Sequence, residues 1–161
     1  MHLCIMTMRG LFLYVVSLAR RYCLRLLAKE TVMDLFNEIT DILLAFKVQP
    51  EIMGFDYLRE GIRLCYQDST LKNSITKKLY PKIAEKFGTT AETVERGMRT
   101  AVENSYNNGG LLEVNEKCGL IVYNNDFKWT NGEMITLLCE LIRLKEIRER
   151  LDEQLENLKQ A

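Results

Sequence analysis

The sequence predicts an all-α fold, a compact domain of about six helices that contains a helix-turn-helix and ends in a long C-terminal helix. Apolar residues recur at spacings of three and four over most of the chain after residue 33. Two of these patterns are separated only by the short turn around Gly88, which is typical of a helix-turn-helix. Neither glycine nor proline follows Gly132, so the last helix is predicted to continue to the C-terminus.

Residues 1–33 are predicted to be an apolar and basic extension that precedes the domain. Its apolar run, Leu11–Ala19, is too short to cross a membrane, which takes about 20 residues in a helix. Because Met33 starts a regular amphipathic pattern, we favour the interpretation that a misassigned upstream start codon added residues 1–32. A cleaved signal peptide and a basic helix on a membrane surface are the alternatives. Nothing downstream resembles a secreted protein, which argues against the signal peptide, and we do not expect membrane contact by this extension.

Two amphipathic helices are predicted next. Apolar spacing from Leu35 to Phe46 predicts the first, which ends before Pro50. The second is predicted over Met53–Gln67, where two glycines at positions 54 and 61 indicate close packing against a neighbouring helix. The residues expected to face the core from this helix are Leu58, Ile62 and Cys65. A turn and a short helix are expected over residues 68–75.

The helix-turn-helix is predicted within residues 74–104. Pro81 suits the first turn of its first helix, where a missing N–H has no cost. Gly88 is expected to end that helix in the left-handed conformation. Thr89 is expected to begin the second helix, with Glu92 completing a capping box. The buried face of this second helix is predicted to consist of Val94, Met98, Ala101 and Ser105.

The opposite face of the second helix carries charged side chains. At about 100° per residue, the positions opposite Val94 and Met98 are Glu92, Arg96, Arg99 and Glu103, with Glu95 beside them. Arginine can bond bidentately to guanine, and a carboxylate can accept from the amino group of cytosine. The alternative is a solvated face with Glu92–Arg96 and Arg99–Glu103 ion pairs. Within a helix-turn-helix we favour base recognition.

The distribution of charge agrees with a nucleic-acid partner, although the net charge of the chain is zero. Residues 72–99 carry seven basic and three acidic side chains. This local excess of positive charge lies on the helix-turn-helix, where DNA phosphates would lie. Thr76, Lys77 and Lys78 precede the first helix and are candidates for phosphate contacts, or alternatively are ordinary solvated side chains.

The segment between the helix-turn-helix and the last helix is predicted to be the least helical part of the domain. Asn107-Asn-Gly-Gly110 is expected to end the second helix of the helix-turn-helix, and Cys118–Tyr123 is a candidate extended segment. Thr130 is expected to begin the last helix, with Glu133 placed to complete a capping box.

Three motifs stand in the predicted helix-turn-helix: Ser74-Ile-Thr-Lys, Leu79-Tyr-Pro-x-Ile-Ala-x-Lys-Phe and Thr89-Thr-Ala-x-x-Val-Glu-Arg-x-x-Arg. Two more flank it, Gly54-Phe-Asp-Tyr-Leu-Arg-Glu-Gly-Ile and Trp129-Thr-Asn-Gly-Glu-Met. With these motifs, residues 39–145 resemble the DNA-binding effector domain of the sporulation-initiation response regulator of endospore-forming bacteria. The central motif is long and without gaps, which makes the resemblance specific.

The resemblance implies that the protein binds double-stranded DNA in the cytoplasm. The base-reading residues that it implies are Glu95, Arg96 and Arg99. The residues implied to contact the DNA backbone are Ser74, Thr76, Lys77, Lys78, Thr90 and Thr93. Thr93 and Thr100 stand where the family commonly has larger basic side chains, and Gly97 costs about 1 kcal/mol of helix stability relative to alanine.

The family's regulator also carries an N-terminal receiver domain that accepts a phosphate. Residues 1–38, which precede the resemblance, are too few to form such a domain. We therefore expect the receiver domain, and with it control by aspartyl phosphorylation, to be absent.

The C-terminal tail carries a leucine repeat, and we expect the effector domain at residues 34–145 to be followed by a helical heptad tail at 146–161. The repeat positions, spaced alternately four and three, are Leu137, Leu141, Leu144, Arg148, Leu151, Leu155 and Leu158. This spacing is typical of a coiled coil and predicts a homodimer through the last helix. In the alternative, the first three leucines pack on their own domain and the tail is a solvated helix.

No arrangement of residues suited to catalysis or metal binding occurs in the sequence. Five cysteines are scattered without a C-x-x-C pair, and His2 is the only histidine. We expect free thiols, with Cys65 and Cys139 in the core. The sequence has no glycine-rich phosphate loop and no Ser/His/Asp or Cys/His set. We therefore expect no enzymatic activity, no cofactor, no metal and no small-molecule substrate.

Two functions are consistent with these observations. The first is a sequence-specific DNA-binding transcriptional regulator. The second is a protein-interaction module that dimerises or binds a partner through its last helix, with weak or vestigial DNA binding. Arg96 and Arg99, together with Glu95, favour the first.

Overall fold

The computed structural model describes residues 34–110, 112 and 128–160. The chain divides into the units Met1–Leu35 and Phe36–Ala161, and the core and the candidate interface both lie within the second unit. The described residues form five α-helices: α1 over residues 34–45, α2 over Met53–Gln67, α3 over Tyr80–Phe87, α4 over Ala91–Asn107 and α5 over Asn131–Gln160. A 3₁₀ helix, Ser69–Ser74, and a π-helical turn, Ile75–Leu79, connect α2 to α3.

The all-α prediction is confirmed, and no strand occurs in the described ranges. The expected count of about six helices is corrected to five α-helices in those ranges, because two of the short segments adopt 3₁₀ and π geometry. The predicted extension at 1–33 and the candidate extended segment Cys118–Tyr123 lie outside the described residues. In the part of the chain that the structure describes, no helix is long and apolar enough to span a membrane.

The core lies where α2 meets α3, α4 and α5. The bounds of α2 are those expected, and its predicted inward residues, Leu58, Ile62 and Cys65, are fully buried. The thiol of Cys139 on α5 is also buried and donates to the carbonyl oxygen of Ile62 at 3.6 Å. Burial raises the pKa of Cys65 to about 11 and that of Cys139 to about 12. Both are unpaired core residues, as predicted.

The crossing of α2 and α4 depends on two glycines. A Cβ atom added to Gly54 would lie 2.1 Å from the carbonyl oxygen of Gly97, and one added to Gly97 would lie 3.0 Å from the ring of Tyr57. The close packing expected at Gly54 is therefore confirmed. Gly97 lowers the intrinsic stability of α4, but because it has no side chain, α2 can approach the backbone of α4 closely.

Helix α5, with 30 residues, is the longest helix among the described residues. It begins with the expected capping box: the amide of Glu133 donates to Thr130 Oγ1 at 3.3 Å, and the amide of Thr130 donates to Glu133 Oε2 at 2.8 Å. Its first part is held in the core by Met134, Ile135, Leu138, Cys139 and Ile142. The side chains of residues 147–159 are exposed, so the end of α5 extends away from the domain.

Candidate nucleic-acid interface

The turn of the helix-turn-helix has the predicted geometry. Pro81 occupies the first turn of α3, and Gly88 ends this helix with φ of 63°. The amide of Thr89 donates to the carbonyl oxygen of Ala84 at 3.0 Å, which satisfies a carbonyl at the end of α3. The first helix therefore ends in a closed turn that fixes the start of α4.

The residue that caps α4 differs from the expected one. Thr90 is extended and its Oγ1 accepts from the amide of Thr93 at 3.2 Å, so α4 begins at Ala91. The predicted capping box of Thr89 with Glu92 is wrong, because the amide of Thr89 takes part in ending α3. Hydrogen bonds from its own backbone amide and from the Thr90 hydroxyl lower the pKa of Glu92.

Helix α4 is the second helix of the helix-turn-helix and the candidate recognition helix. Its buried face consists of the residues that the apolar pattern predicted. Val94, Met98, Ala101 and Ser105 are buried, together with Val102. This packing leaves the side chains of the opposite face exposed, namely Glu92, Arg96, Arg99 and Glu103.

The ion pair found on this exposed face is neither of the two expected pairs. The guanidinium of Arg99 pairs with Glu95, and 62% of the Arg99 side chain remains exposed. Among the described residues, no ion pair joins Glu92 to Arg96 or Arg99 to Glu103, and Arg96 makes no ion pair. The two ion pairs expected in the alternative interpretation, Glu92–Arg96 and Arg99–Glu103, are therefore wrong.

An open groove of about 830 Å³ lies beside the recognition helix. The π-helical turn, α4 and the start of α5 form its walls. Among the candidate DNA-contacting residues, Thr76, Glu95 and Arg99 line it. The side chains of Tyr106, Lys128 and Thr130 complete much of the remaining wall. The groove thus brings one candidate backbone contact next to two candidate base-reading residues.

The other candidates lie on neighbouring parts of the surface. Lys77 and Lys78 are exposed on the π-helical turn, and Ser74, directly before it, is half-buried. Thr90 and Thr93 lie at the N-terminus of α4, where their hydroxyl oxygens are 3.0 Å apart. Because the Thr90 hydroxyl already caps α4, it has a structural role whether or not it contacts DNA.

The position of α4 is also fixed by Asn131, a residue that the sequence analysis did not single out. Its buried side-chain amide donates to Tyr80 Oη at 3.0 Å and to the backbone carbonyl oxygen of Glu95 at 3.1 Å. These two bonds join α5 to α3 and to the first half of α4. Burial raises the pKa of Tyr80, although the hydrogen bond from Asn131 acts in the opposite direction.

The positive charge counted in residues 72–99 is not all available to DNA. Lys72 pairs with Glu140 at 2.6 Å, and Lys86 pairs with the buried carboxylate of Glu60 at 2.6 Å. Within the described residues, the basic side chains of this stretch that make no ion pair are Lys77, Lys78, Lys82 and Arg96. Lys82 is exposed on α3 and was counted only toward the local charge, so the structure adds it to the candidate phosphate contacts.

Residues 39–142 match the family described as sporulation initiation factor Spo0A C terminal. It is a family of DNA-binding effector domains of sporulation regulators and not a family of enzymes. The matched segment contains α2 to α4, the walls of the groove and Asn131. It ends within α5, before the exposed part of that helix.

Proposed function

Since the chain belongs to the Spo0A C-terminal family of DNA-binding effector domains, we propose that it is a sequence-specific DNA-binding transcriptional regulator that acts in the cytoplasm. The observation that carries this proposal is the outward face of α4, where two arginines are exposed beside the half-buried Glu95, on a helix whose position is tightly fixed. Glycine packing against α2 and the bonds from Asn131 hold that helix. A rigid helix is what a base-reading surface requires.

In this proposal Arg96, Arg99 and Glu95 read base edges in the major groove. Arg96 is exposed and makes no ion pair in the described residues, so two of its guanidinium N–H groups can donate to one guanine. Arg99 is held by Glu95, which fixes the guanidinium before DNA arrives. The remaining lone pairs of Glu95 can accept from a cytosine amino group.

The DNA backbone contacts in this proposal come from three places, of which the first is the exposed Lys82 on α3. Thr76, Lys77 and Lys78 lie on the π-helical turn, with Ser74 directly before it. Thr90 and Thr93 lie at the N-terminus of α4, where backbone amides and the helix dipole favour a phosphate. Contacts of this kind fix register and orientation without reading sequence.

The experiment that tests the proposal is selection of bound sequences from a pool of random DNA duplexes, carried out with the full chain. We expect one motif to become enriched, and we expect the Arg96→Ala variant to lose the preference at one position of that motif. Failure of the folded protein to enrich any motif would contradict the proposal.

A second candidate function, interaction with a protein through α5, is supported by a separate observation. The exposed part of α5 carries large apolar side chains, and those of them that the structure describes all lie beyond the segment that matches the family. A protein that serves only as such a module would retain its partner but show equal affinity for all DNA sequences. The selection experiment therefore separates the two candidates.

A further inference from the structure

The end of α5 carries an exposed apolar face, which we call the tail face. Its members are Leu144, Ile147, Leu151, Leu155 and Leu158, each between 51% and 75% exposed. The leucine repeat placed Arg148 between Leu144 and Leu151, which would interrupt the stripe. Ile147 lies at nearly the same level of the helix and supplies an apolar side chain there.

The start of the tail face is fixed on the domain. Lys145 lies 3.1 Å from Glu38 on α1, and the Tyr66 hydroxyl donates to Glu146. The guanidinium of Arg143 also donates to the backbone carbonyl oxygen of Tyr66 at 3.4 Å. These contacts set the direction in which α5 leaves the domain, so the tail face is presented on a helix with a fixed base.

We propose that a second copy of this chain covers the tail face, with the two α5 helices antiparallel. This deepens the second candidate function and does not depend on DNA binding. In the proposed register, Leu144 packs against the partner's Leu155, and Arg148 lies opposite the partner's Leu151. The aliphatic part of Arg148 covers that leucine while its guanidinium stays in solvent.

The charges in the tail decide between the two orientations. A parallel pair in register would bring Arg148 against the partner's Arg148, and like charges at one level of a seam oppose association.

The antiparallel pair instead joins opposite charges along one side of the seam, once on each side of the two-fold axis. Lys145 lies between the levels of Leu144 and Arg148, and Asp152 lies between those of Leu151 and Leu155. In the proposed register each Lys145 therefore faces the partner's Asp152. Lys145 is 60% exposed, and its ammonium already lies 3.1 Å from Glu38 and 3.8 Å from Glu149, so the partner's Asp152 would be a further acceptor. Asp152 is exposed and makes no ion pair among the described residues. Two-fold symmetry makes this pair twice.

Sedimentation equilibrium of the full chain without DNA tests the pairing, with Asp152→Lys as the variant and Glu153→Lys as the matched control. Both variants make the same charge change at adjacent exposed positions, but Glu153 points away from the seam. We expect a dimer for the unmodified chain, a dissociation constant raised about tenfold by Asp152→Lys, and little change with Glu153→Lys. An equimolar mixture of Lys145→Asp and Asp152→Lys chains should recover dimerisation as a heterodimer.

Three results would overturn the inference. A monomer at high micromolar concentration would mean that the tail face is not covered by a second copy. A dimer equally affected by the two lysine variants would exclude the proposed register, and so would a mixture that fails to recover dimers. Because these measurements contain no DNA, their outcome is separate from that of the duplex selection.

Discussion

Arg96 and Arg99 have different surroundings, and at the scale of single residues this difference shapes what each should do. Arg99 is paired with Glu95 and lines the groove, whereas Arg96 is exposed without an ion pair among the described residues. Removing Glu95 should therefore release Arg99 but leave Arg96 unaffected.

The first prediction concerns base reading. Arg96→Ala and Arg99→Ala should each weaken binding to the selected duplex by about 1–3 kcal/mol and relax preference at one base position. Fluorescence anisotropy with single-substituted duplexes measures both effects, and Arg150→Ala, at an exposed arginine in the tail, is the control. Equal losses on selected and random duplexes would show that these arginines do not read bases.

The second prediction separates lysines that the sequence could not distinguish. Replacing Lys77 or Lys78 by alanine should reduce the slope of log K against log salt by about one, because each phosphate contact releases counterions. The same change at Lys86 should leave the slope unaltered, since Lys86 pairs with Glu60 in the structure. A reduced slope for Lys86→Ala, measured on folded protein, would contradict the assignment.

The third prediction concerns the dependence of stability on pH. Burial raises the pKa of Glu60, but hydrogen bonds and charges from Arg63 and Lys86 outweigh it and lower the pKa below 4.5. A lowered folded-state pKa adds stability that is present above the unfolded value and is lost as pH falls below it. Urea unfolding from pH 6 down to about pH 3 should therefore show a fall in stability that is smaller in Glu60→Gln. An identical pH dependence in the variant would contradict this.

At the scale of elements, the sequence predicted what local signals determine. The bounds of α2, the left-handed Gly88 and the capping box of Thr130 with Glu133 follow from apolar spacing and nearby polar residues. The cap of α4 was misplaced by one residue because Thr89 and Thr90 offer the same hydroxyl. Only the hydrogen bond from Thr89 back to α3 decides between them.

What the sequence could not predict are contacts between residues distant along the chain. Gly97 was identified as a weakness of the recognition helix, but its role depends on Gly54 of α2. Asn131 bonds to Tyr80 and to the backbone of Glu95, and nothing in its local sequence indicates those partners. The partners of Lys72 and Lys86 could not be predicted either. The count of basic residues in the sequence therefore overestimated the positive charge that is available to DNA.

The fourth prediction tests the glycine crossing of α2 and α4. Gly54→Ala should lower the free energy of unfolding by about 3 kcal/mol or more, because its Cβ would overlap the backbone of Gly97 and neither helix can shift without disturbing the core. Gly88→Ala is the comparison: its Cβ meets open space, so only the left-handed backbone opposes it, at about 1–2 kcal/mol. Thermal or urea unfolding measures both, and a smaller loss at Gly54 would contradict the crossing.

At the scale of the whole molecule, the two surfaces lie on different parts of the chain. The DNA-binding proposal uses α3, α4 and the π-helical turn, all within the segment that matches the family. The tail face begins at Leu144, after that segment ends. Helix α5 connects them, since Asn131 at its start positions α4 and its other end carries the tail face. A change in the tail should therefore alter association without altering the base-reading residues.

The most direct test of the central proposal is the ratio of two dissociation constants, for a random duplex and for the selected duplex, measured with the full chain at one salt concentration. Specific DNA-binding proteins bind their sites about 10³-fold or more tightly than other sequences. We expect a ratio of at least about 10³, reduced by Arg96→Ala or Arg99→Ala. A ratio near one for the folded protein would contradict sequence-specific binding through α4.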